Sequence, residues 1–288
     1  MPIQVLNSTQ DSSVNFVEQQ LEGFLESRYV RKCDERFIAY LSSQTGCNRS
    51  CKFCHLTVTG QTSFSDSSHN DFLGQALQVF KHYRQQKPAT YMHYSFMARG
   101  EPLCNKTIID ESTDLFSALG HLALDEGLPS KFNVSTIIPV TLKKSLIEIF
   151  PLVTPMIYYS IYSVNEAWRK EWLPTAMPAK EALRMLKEYQ QFSKKFIKIH
   201  CAFIKDENDS EEDLENMCKT ILDTGLFCEF NLVRYNPASP AQGEESSEDR
   251  LKHISEYMHR RLGGKAQIIP RVGFDVSASC GMFAGRKE

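Results

Sequence analysis

KFNVSTIIPVTLKKSLIEIF (131–150), followed by MIYYSIYS (156–163), decides the fold. Two apolar runs rich in β-branched and aromatic residues, 131–138 and 156–163, bracket a helical pattern at 141–150. Strand, helix and strand in such close succession form a parallel pair, because a parallel neighbour needs a crossover and a helix supplies it. The alternation continues in both directions. Upstream lie a strand, FIAYLSSQ (37–44), a helix, DFLGQALQVFKHYRQQ (71–86), a strand, TYMHYSFMA (90–98), and a helix at 107–127. In the first of these helices Phe72, Ala76, Leu77 and Phe80 share one face. Downstream come helical pieces near 165–173 and 178–194, a strand, FIKIHCAFI (196–204), and a helix at 210–225 with a capping-box start. A strand, CEFNLVRYN (228–236), a loop, a helix at 247–264 ending at Gly263 and a short strand at 266–273 complete the chain.

Six β/α repeats and an extra strand define an α/β fold, an open partial (β/α)6 barrel with fewer units than the eight of a closed one. Functional groups in such folds gather at the C-terminal ends of the strands. VNFVEQQLEGFLES has helical spacing, so residues 1–35 are expected as a short helical lead-in. Residues 36–288 then form the barrel with its C-terminal loop.

With 42% hydrophobic and 24% charged residues in 288, the composition is that of a globular protein with a sizeable core. No apolar stretch reaches the ~18 residues of a membrane span, and the polar N-terminus does not read as a signal peptide. A cytoplasmic protein with no membrane partner is expected. The net charge of −2 disfavours strong non-specific nucleic-acid binding, so any RNA contact must be local. Candidate patches are Arg28, Arg31 and Lys32; Lys194, Lys195 and Lys198; and His259, Arg260, Arg261 and Lys265.

Nine cysteines, an odd number, in a chain of this length argue for metal or catalytic use over a disulfide framework. Cys201, Cys218 and Cys228 fall in strands and a helix and are expected as small buried residues. GCNRSCKFCHLT is different, spacing Cys47, Cys51 and Cys54 as Cys-x-x-x-Cys-x-x-Cys just after the first barrel strand. Soft thiolates suit zinc or an iron–sulfur cluster. Zinc needs a fourth ligand, for which His55 is awkwardly placed. Three thiolates on a four-iron cluster leave one iron without a protein ligand. S-adenosylmethionine (SAM) can chelate that iron, and Phe53 before the last cysteine favours this use.

The triplet resembles the signature of the radical SAM superfamily. The wider match is to its RNA adenine methyltransferases, which act on carbon 2 or carbon 8 of the base. SSQTGCNRSCKFC is similar to the family's cluster motif, and ARGEPLCN to its Gly-Glu-Pro-Leu-x-Asn segment. VST (134–136), YYSIYSVNE, FNLVRYNP and FDVSASCGMFAG resemble further family segments in order, over about nine-tenths of the chain. The resemblance implies a [4Fe-4S] cluster on Cys47, Cys51 and Cys54, and SAM as cofactor. It implies that Gly100 and Glu101 hold the SAM amino group, with Pro102 shaping the turn. Ser135, Ser160, Ile161, Tyr162 and Asn236 would contact the rest of SAM, beside Phe53. Cys280 would carry the methyl group, and Glu26 falls near the family's proton-accepting glutamate. Implied partners are an RNA substrate and a one-electron donor such as flavodoxin or ferredoxin, with the enzyme a monomer.

The chemistry explains the two roles of SAM. Carbon 2 of adenine is electron-poor and does not attack SAM directly. The family route methylates a cysteine, makes a radical on that methyl and adds it to the base. A second cysteine then releases the product. The family's second cysteine corresponds here to Tyr40, a phenol that cannot form a disulfide. Cys33, Cys104 or an external thiol could substitute, or the reaction could differ in substrate or outcome. Further departures are Tyr162 in place of histidine, Ile137-Ile138 in place of Ser-Gly, and only about 35 residues ahead of the first strand where the family carries a helical domain that grips RNA.

Overall fold

The computed structural model describes residues 3–285. Ten strands form one sheet in sequence order. β1 (Ile3–Asn7), β2 (Val14–Gln19), β3 (Phe24–Cys33) and β4 (Arg36–Leu41) pair antiparallel. α1 (His55–Val58) and α2 (His69–Tyr83) then lead to β5 (Tyr91–Phe96), which lies parallel to β4. The parallel order continues through α3 (Lys106–Asp125), β6 (Ser130–Thr136), α4 (Leu146–Ile149), β7 (Met156–Ser160), α5 (Glu166–Trp172) and α6 (Ala179–Ser193). β8 (Ile197–Cys201), α7 (Glu211–Asp223), β9 (Cys228–Val233), α8 (Glu248–Leu262) and β10 (Ala266–Ile269) follow, the strands again parallel.

The parallel part is the expected partial barrel with its extra strand. The sheet ends on β1 and β10, and among the described residues these two strands do not pair. Period-two alternation sorts each barrel strand. In β4, Phe37, Ala39 and Leu41 are buried against the helices, while Arg36, Ile38 and Tyr40 take the opposite, lumen face. β8 buries Ile197, Ile199 and Cys201 and turns Lys198 and His200 to the lumen. Aromatic rings fill the layer between sheet and helices, with Phe116 stacked on Phe132 at 4.5 Å and on Phe150 at 5.8 Å. Cys201, Cys218 and Cys228 are buried, as expected. Ser210 accepts a hydrogen bond from the amide of Asp213 at the start of α7, and Gly263 closes α8 with φ +68°.

The helical lead-in is corrected: residues 3–33 contain three strands that extend the same sheet. Tertiary burial overrides the local spacing. Val14–Val17 and Leu25–Val30 are buried throughout, so Asn15, Glu26 and Arg28 sit inside as paired polar groups and disguise the strand alternation. Gly23, with φ +72°, makes the turn between β2 and β3, where a Cβ would lie 2.4 Å from the carbonyl oxygen of Thr45. Arg28 is likewise no surface cation, being 3% exposed.

The segment after β10 returns across the open side of the barrel to the N-terminal strands. Asp275 accepts hydrogen bonds from the Ser8 hydroxyl and the Thr9 amide, both at 2.7 Å, and Asn15 Nδ2 donates to the Val276 carbonyl at 3.1 Å. No helix among the described residues is long and apolar enough to cross a membrane.

Candidate active site

The loop after β4 carries Cys47, Cys51 and Cys54. It is fixed by backbone bonds from Cys47 to Gln61 at 3.1 Å and from Lys52 to Trp172 at 2.9 Å. The three thiols line an open cavity of about 720 Å³ at the C-terminal ends of the strands. Burial pushes Cys47 up to about 12, with Cys54 adding to the shift. Burial also raises Cys51 and Cys54, the latter opposed by the backbone amides of Leu56 and Thr57 at the start of α1. Such thiols need a cation to hold them as thiolates. Among the described residues no three His, Cys, Asp or Glu side chains are grouped closely enough for a single ion. Three soft donors around one cavity fit a thiolate-held cluster, with the cavity itself as room for a co-ligand.

Gly100, Glu101 and Pro102 line the same cavity. Gly100 has φ +91°, and a Cβ there would lie 2.7 Å from Gln44 and Ser43, so the close approach demands glycine. Gln44 Oε1 accepts from the Glu101 amide at 3.1 Å, which explains the Ser-Gln ahead of the cysteines. Glu101 accepts from Thr136 Oγ1 at 2.6 Å and from the amides of Leu103 and Ile137 at 3.0 and 3.1 Å. Burial nevertheless outweighs these bonds and raises its carboxyl.

Ser135 and Ser160, at the ends of β6 and β7, line the cavity. Tyr162 does so with φ +54° and stacks on Phe53 at 4.2 Å. A non-glycine residue held in that region at a strand end is strain of the kind found at ligand sites. Ile161 does not line the cavity: its side chain is fully buried in the core, and its carbonyl accepts from Arg169 at 2.7 Å.

Cys280 lines a second cavity of about 690 Å³, which shares Met97 and Ser135 with the first. Its neighbour Gly281 lines the cysteine-rich cavity, so the loop stands on the seam between the two. Asn236 also lines the second cavity rather than the first. Its Nδ2 donates to the Cys280 carbonyl at 2.9 Å, and its Oδ1 accepts from Arg271 at 2.7 Å. Cys280 remains accessible at the cavity mouth, although the surrounding protein pushes its thiol up to about 11 against the pull of Arg28.

Glu26 lines neither cavity. It is fully buried and accepts from Arg99 at 2.8 Å, Arg28 at 3.2 Å, Asn15 at 3.0 Å and the Gly285 amide at 3.0 Å. Burial raises its carboxyl, but Arg28 and Arg99 together outweigh that and hold it below its ordinary value. The network reaches Cys280 through Arg28, which donates to the carbonyls of Ala278 at 2.8 Å and Met282 at 2.7 Å. Arg99 also donates to Gly285 at 3.2 Å and to Gln61. Sequence reasoning took Arg28 for surface and passed over Arg99 and Asn15. The available signal was that Asn15, Glu26 and Arg28 interrupt apolar runs, where buried polar groups need one another; Arg99, in the loop after β5, carried no such signal.

No protein-family model matches the chain. It is 26% identical over 255 residues to the ribosomal RNA large subunit methyltransferase Cfr of Staphylococcus aureus, covering 86% of this chain and 69% of that protein. It is 25% identical over 283 residues to the dual-specificity RNA methyltransferase RlmN of Bdellovibrio bacteriovorus, covering 96% and 67%. Among solved structures, a radical SAM methyltransferase from Sphaerobacter thermophilus superposes with a TM-score of 0.82 at 20% identity, over 98% of this chain and 81% of that one. Streptococcus suis SuiB bound to S-adenosylmethionine shares the fold at a TM-score of 0.56 and 13% identity, over 86% and 56%.

Proposed function

We propose that this chain, a homologue of the radical SAM RNA methyltransferases Cfr and RlmN, methylates an adenine base through Cys280. A [4Fe-4S] cluster with SAM supplies, on reduction, a 5′-deoxyadenosyl radical. Cys47, Cys51 and Cys54 would hold the cluster, and Glu101 would take the SAM ammonium, with Gly100 admitting the ligand to the backbone. Ser135, Ser160 and the Phe53–Tyr162 stack would shape the remaining wall. The electron comes from a one-electron donor such as flavodoxin or ferredoxin.

The observation that carries this reading is the placement of Cys280 on the seam between the two cavities, with Gly281 beside the cysteines. A carrier must face the methyl donor and the acceptor from one position; Asn236 pins Cys280 through its carbonyl, and Arg28 pins the loop through those of Ala278 and Met282. Their bonds leave the thiol free to react. Glu26 is then a positioning residue. Its bonds from Arg99, Gly285, Arg28 and Asn15, two on each oxygen, occupy the lone pairs that a proton acceptor would use.

The test is the mass of the Cys280 peptide after anaerobic cluster reconstitution and incubation with methyl-labelled SAM. A labelled methyl on Cys280, and loss of product in Cys280→Ala, are expected. Full activity in Cys280→Ala would sink the proposal. A second reading, a radical enzyme of the same lineage with another substrate or outcome, is favoured by one observation. Tyr40 lines the Cys280 cavity, and among the described residues no other cysteine does. Formation of 5′-deoxyadenosine without a methyl on Cys280 would select that reading.

A further inference from the structure

Behind Cys280 the barrel lumen continues as a third cavity of about 1120 Å³, sharing Lys32, Tyr40, Met97, His200, Ile269 and Pro270 with the second. Its wall is cationic. Lys32 is the penultimate residue of β3, Arg36 starts β4, Lys198 is the second residue of β8 and Lys265 precedes β10, and all four line it. Glu229 is bound to Lys198, and Asp11, which acts on Lys32 from outside the cavity, already accepts from the amides of Gly273 and Ser13. Lys32, Arg36 and Lys265 form no salt bridge among the described residues. The remaining polar lining is neutral. Asn133 bonds Ser95 and His93 at 2.9 and 3.2 Å, and Asn231 bonds His200 and Gln267 at 3.0 and 3.1 Å. Burial and these cations hold His93 and His200 well below their ordinary value, so both stay uncharged at neutral pH.

We infer that the lumen is the seat of a nucleotide phosphate, whose base reaches up to Cys280. Three cations without a salt-bridge partner among the described residues, in a concave site, are poised for an anion. Length decides which anion. Arg36 and Tyr40 share the lumen face of β4, four residues or about 13 Å apart. Side chains stand roughly perpendicular to a strand, so the same span separates the two side-chain ends, and with a contact at each end it takes a nucleotide from its phosphate to the outer edge of its base. The amides and imidazoles between supply donors and acceptors suited to a ribose. This deepens the functional reading by naming the substrate's chemistry, and it rests on that reading only for the place of the base.

The test uses the full chain with its cluster reconstituted and adenosine 5′-monophosphate as the probe, followed by calorimetry. Adenosine and inorganic phosphate serve as partial probes. Binding of the nucleotide should weaken roughly tenfold or more in Arg36→Gln and in Lys265→Gln, the loss expected for one charge-assisted contact. Arg36→Lys should keep most of the affinity, which separates lost charge from lost fold. Adenosine should bind far more weakly than the nucleotide. Equal binding of nucleotide and nucleoside, or nucleotide binding unchanged in Arg36→Gln and Lys265→Gln, would overturn the proposal. Displacement of the nucleotide by a short single-stranded oligoribonucleotide supports a phosphate presented by RNA. Retention of the nucleotide against that competitor supports a free nucleotide. SAM cleavage in the same samples keeps the two ideas apart. Cleavage without nucleotide binding removes the lumen site alone, and nucleotide binding without cleavage removes the radical reading alone.

Discussion

Arg28 donates from Nη1 to the carbonyl of Ala278 at 2.8 Å, tying the second residue before Cys280 to a strand 250 residues away in sequence. The same guanidinium bonds Met282 and Glu26, so one side chain brackets the Cys280 loop on both sides and is itself held by a buried carboxylate. Arg28→Lys keeps the charge but cannot keep that fork. The expected outcome is an enzyme that still cleaves SAM to 5′-deoxyadenosine but loses most methyl labelling at Cys280. Hydrogen exchange over 272–285 should rise in parallel. Labelling at the unmodified level in Arg28→Lys would show that the loop is held by Asn236 alone.

The same network predicts a pH response. Arg28 and Arg99 hold the Glu26 carboxyl below its ordinary value of 4.5 despite burial that pushes the other way. A carboxylate with a lowered folded pKa contributes stability that is fully present above the ordinary value and is lost as pH falls through the folded one. The chain should therefore lose stability below about pH 4.5, beginning with the C-terminal segment that bonds Glu26 through Gly285. Glu26→Gln should remove this component of the acid dependence. It should also lower stability at pH 7 by about 3–5 kcal/mol, because two buried guanidiniums lose their counter-charge. Denaturant melts of both proteins at several pH values measure each effect.

The parallel half of the fold was legible because its strands bury a clean apolar face against helices with ordinary spacing and caps. The three N-terminal strands were not, because their buried polar residues rely in part on partners more than 200 residues away. Asn15 needs Val276, Arg28 needs Ala278 and Glu26 needs Gly285. No local pattern encodes such pairings. The site divides in the same way. Cys47, Cys51, Cys54, Gly100 and Glu101 sit in short segments whose spacing reflects their geometry. Asn236 and Ile161 were assigned from the family resemblance and their place at strand ends, and neither says which cavity a side chain enters. Asn236 turns to the neighbouring cavity and Ile161 to the core.

Glu101 offers a direct binding test. Its carboxylate is 5% exposed and already engaged by Thr136 and two amides, so Glu101→Gln can keep much of that shape while removing the charge. The expected loss in SAM affinity is about 1.5–3 kcal/mol, or roughly 10- to 100-fold, as for a hydrogen bond to a charged group. Iron and sulfide content should not change, because the three thiols are untouched. A matched loss of iron would mean that Glu101 supports the cluster loop instead.

Tyr40 sets the final prediction. Its phenol and the Cys280 thiol line one cavity, and burial raises the phenol above its ordinary value of 10.0, so it is neutral and not a nucleophile at pH 7. Cys33 is exposed, Cys104 is half-buried, and neither lines that cavity. If Cys280 forms a covalent adduct with its substrate, no protein thiol among the described residues stands ready to attack its sulfur. Release should then depend on added small-molecule thiol, and mass spectrometry should find adduct accumulating when that thiol is withheld. Tyr40→Cys puts a thiol on the lumen face that Tyr40 occupies, and should lower the thiol requirement while creating a disulfide to Cys280 after turnover. An adduct that never accumulates in the unmodified enzyme, whatever the thiol concentration, would mean that the reaction ends without a bond to Cys280.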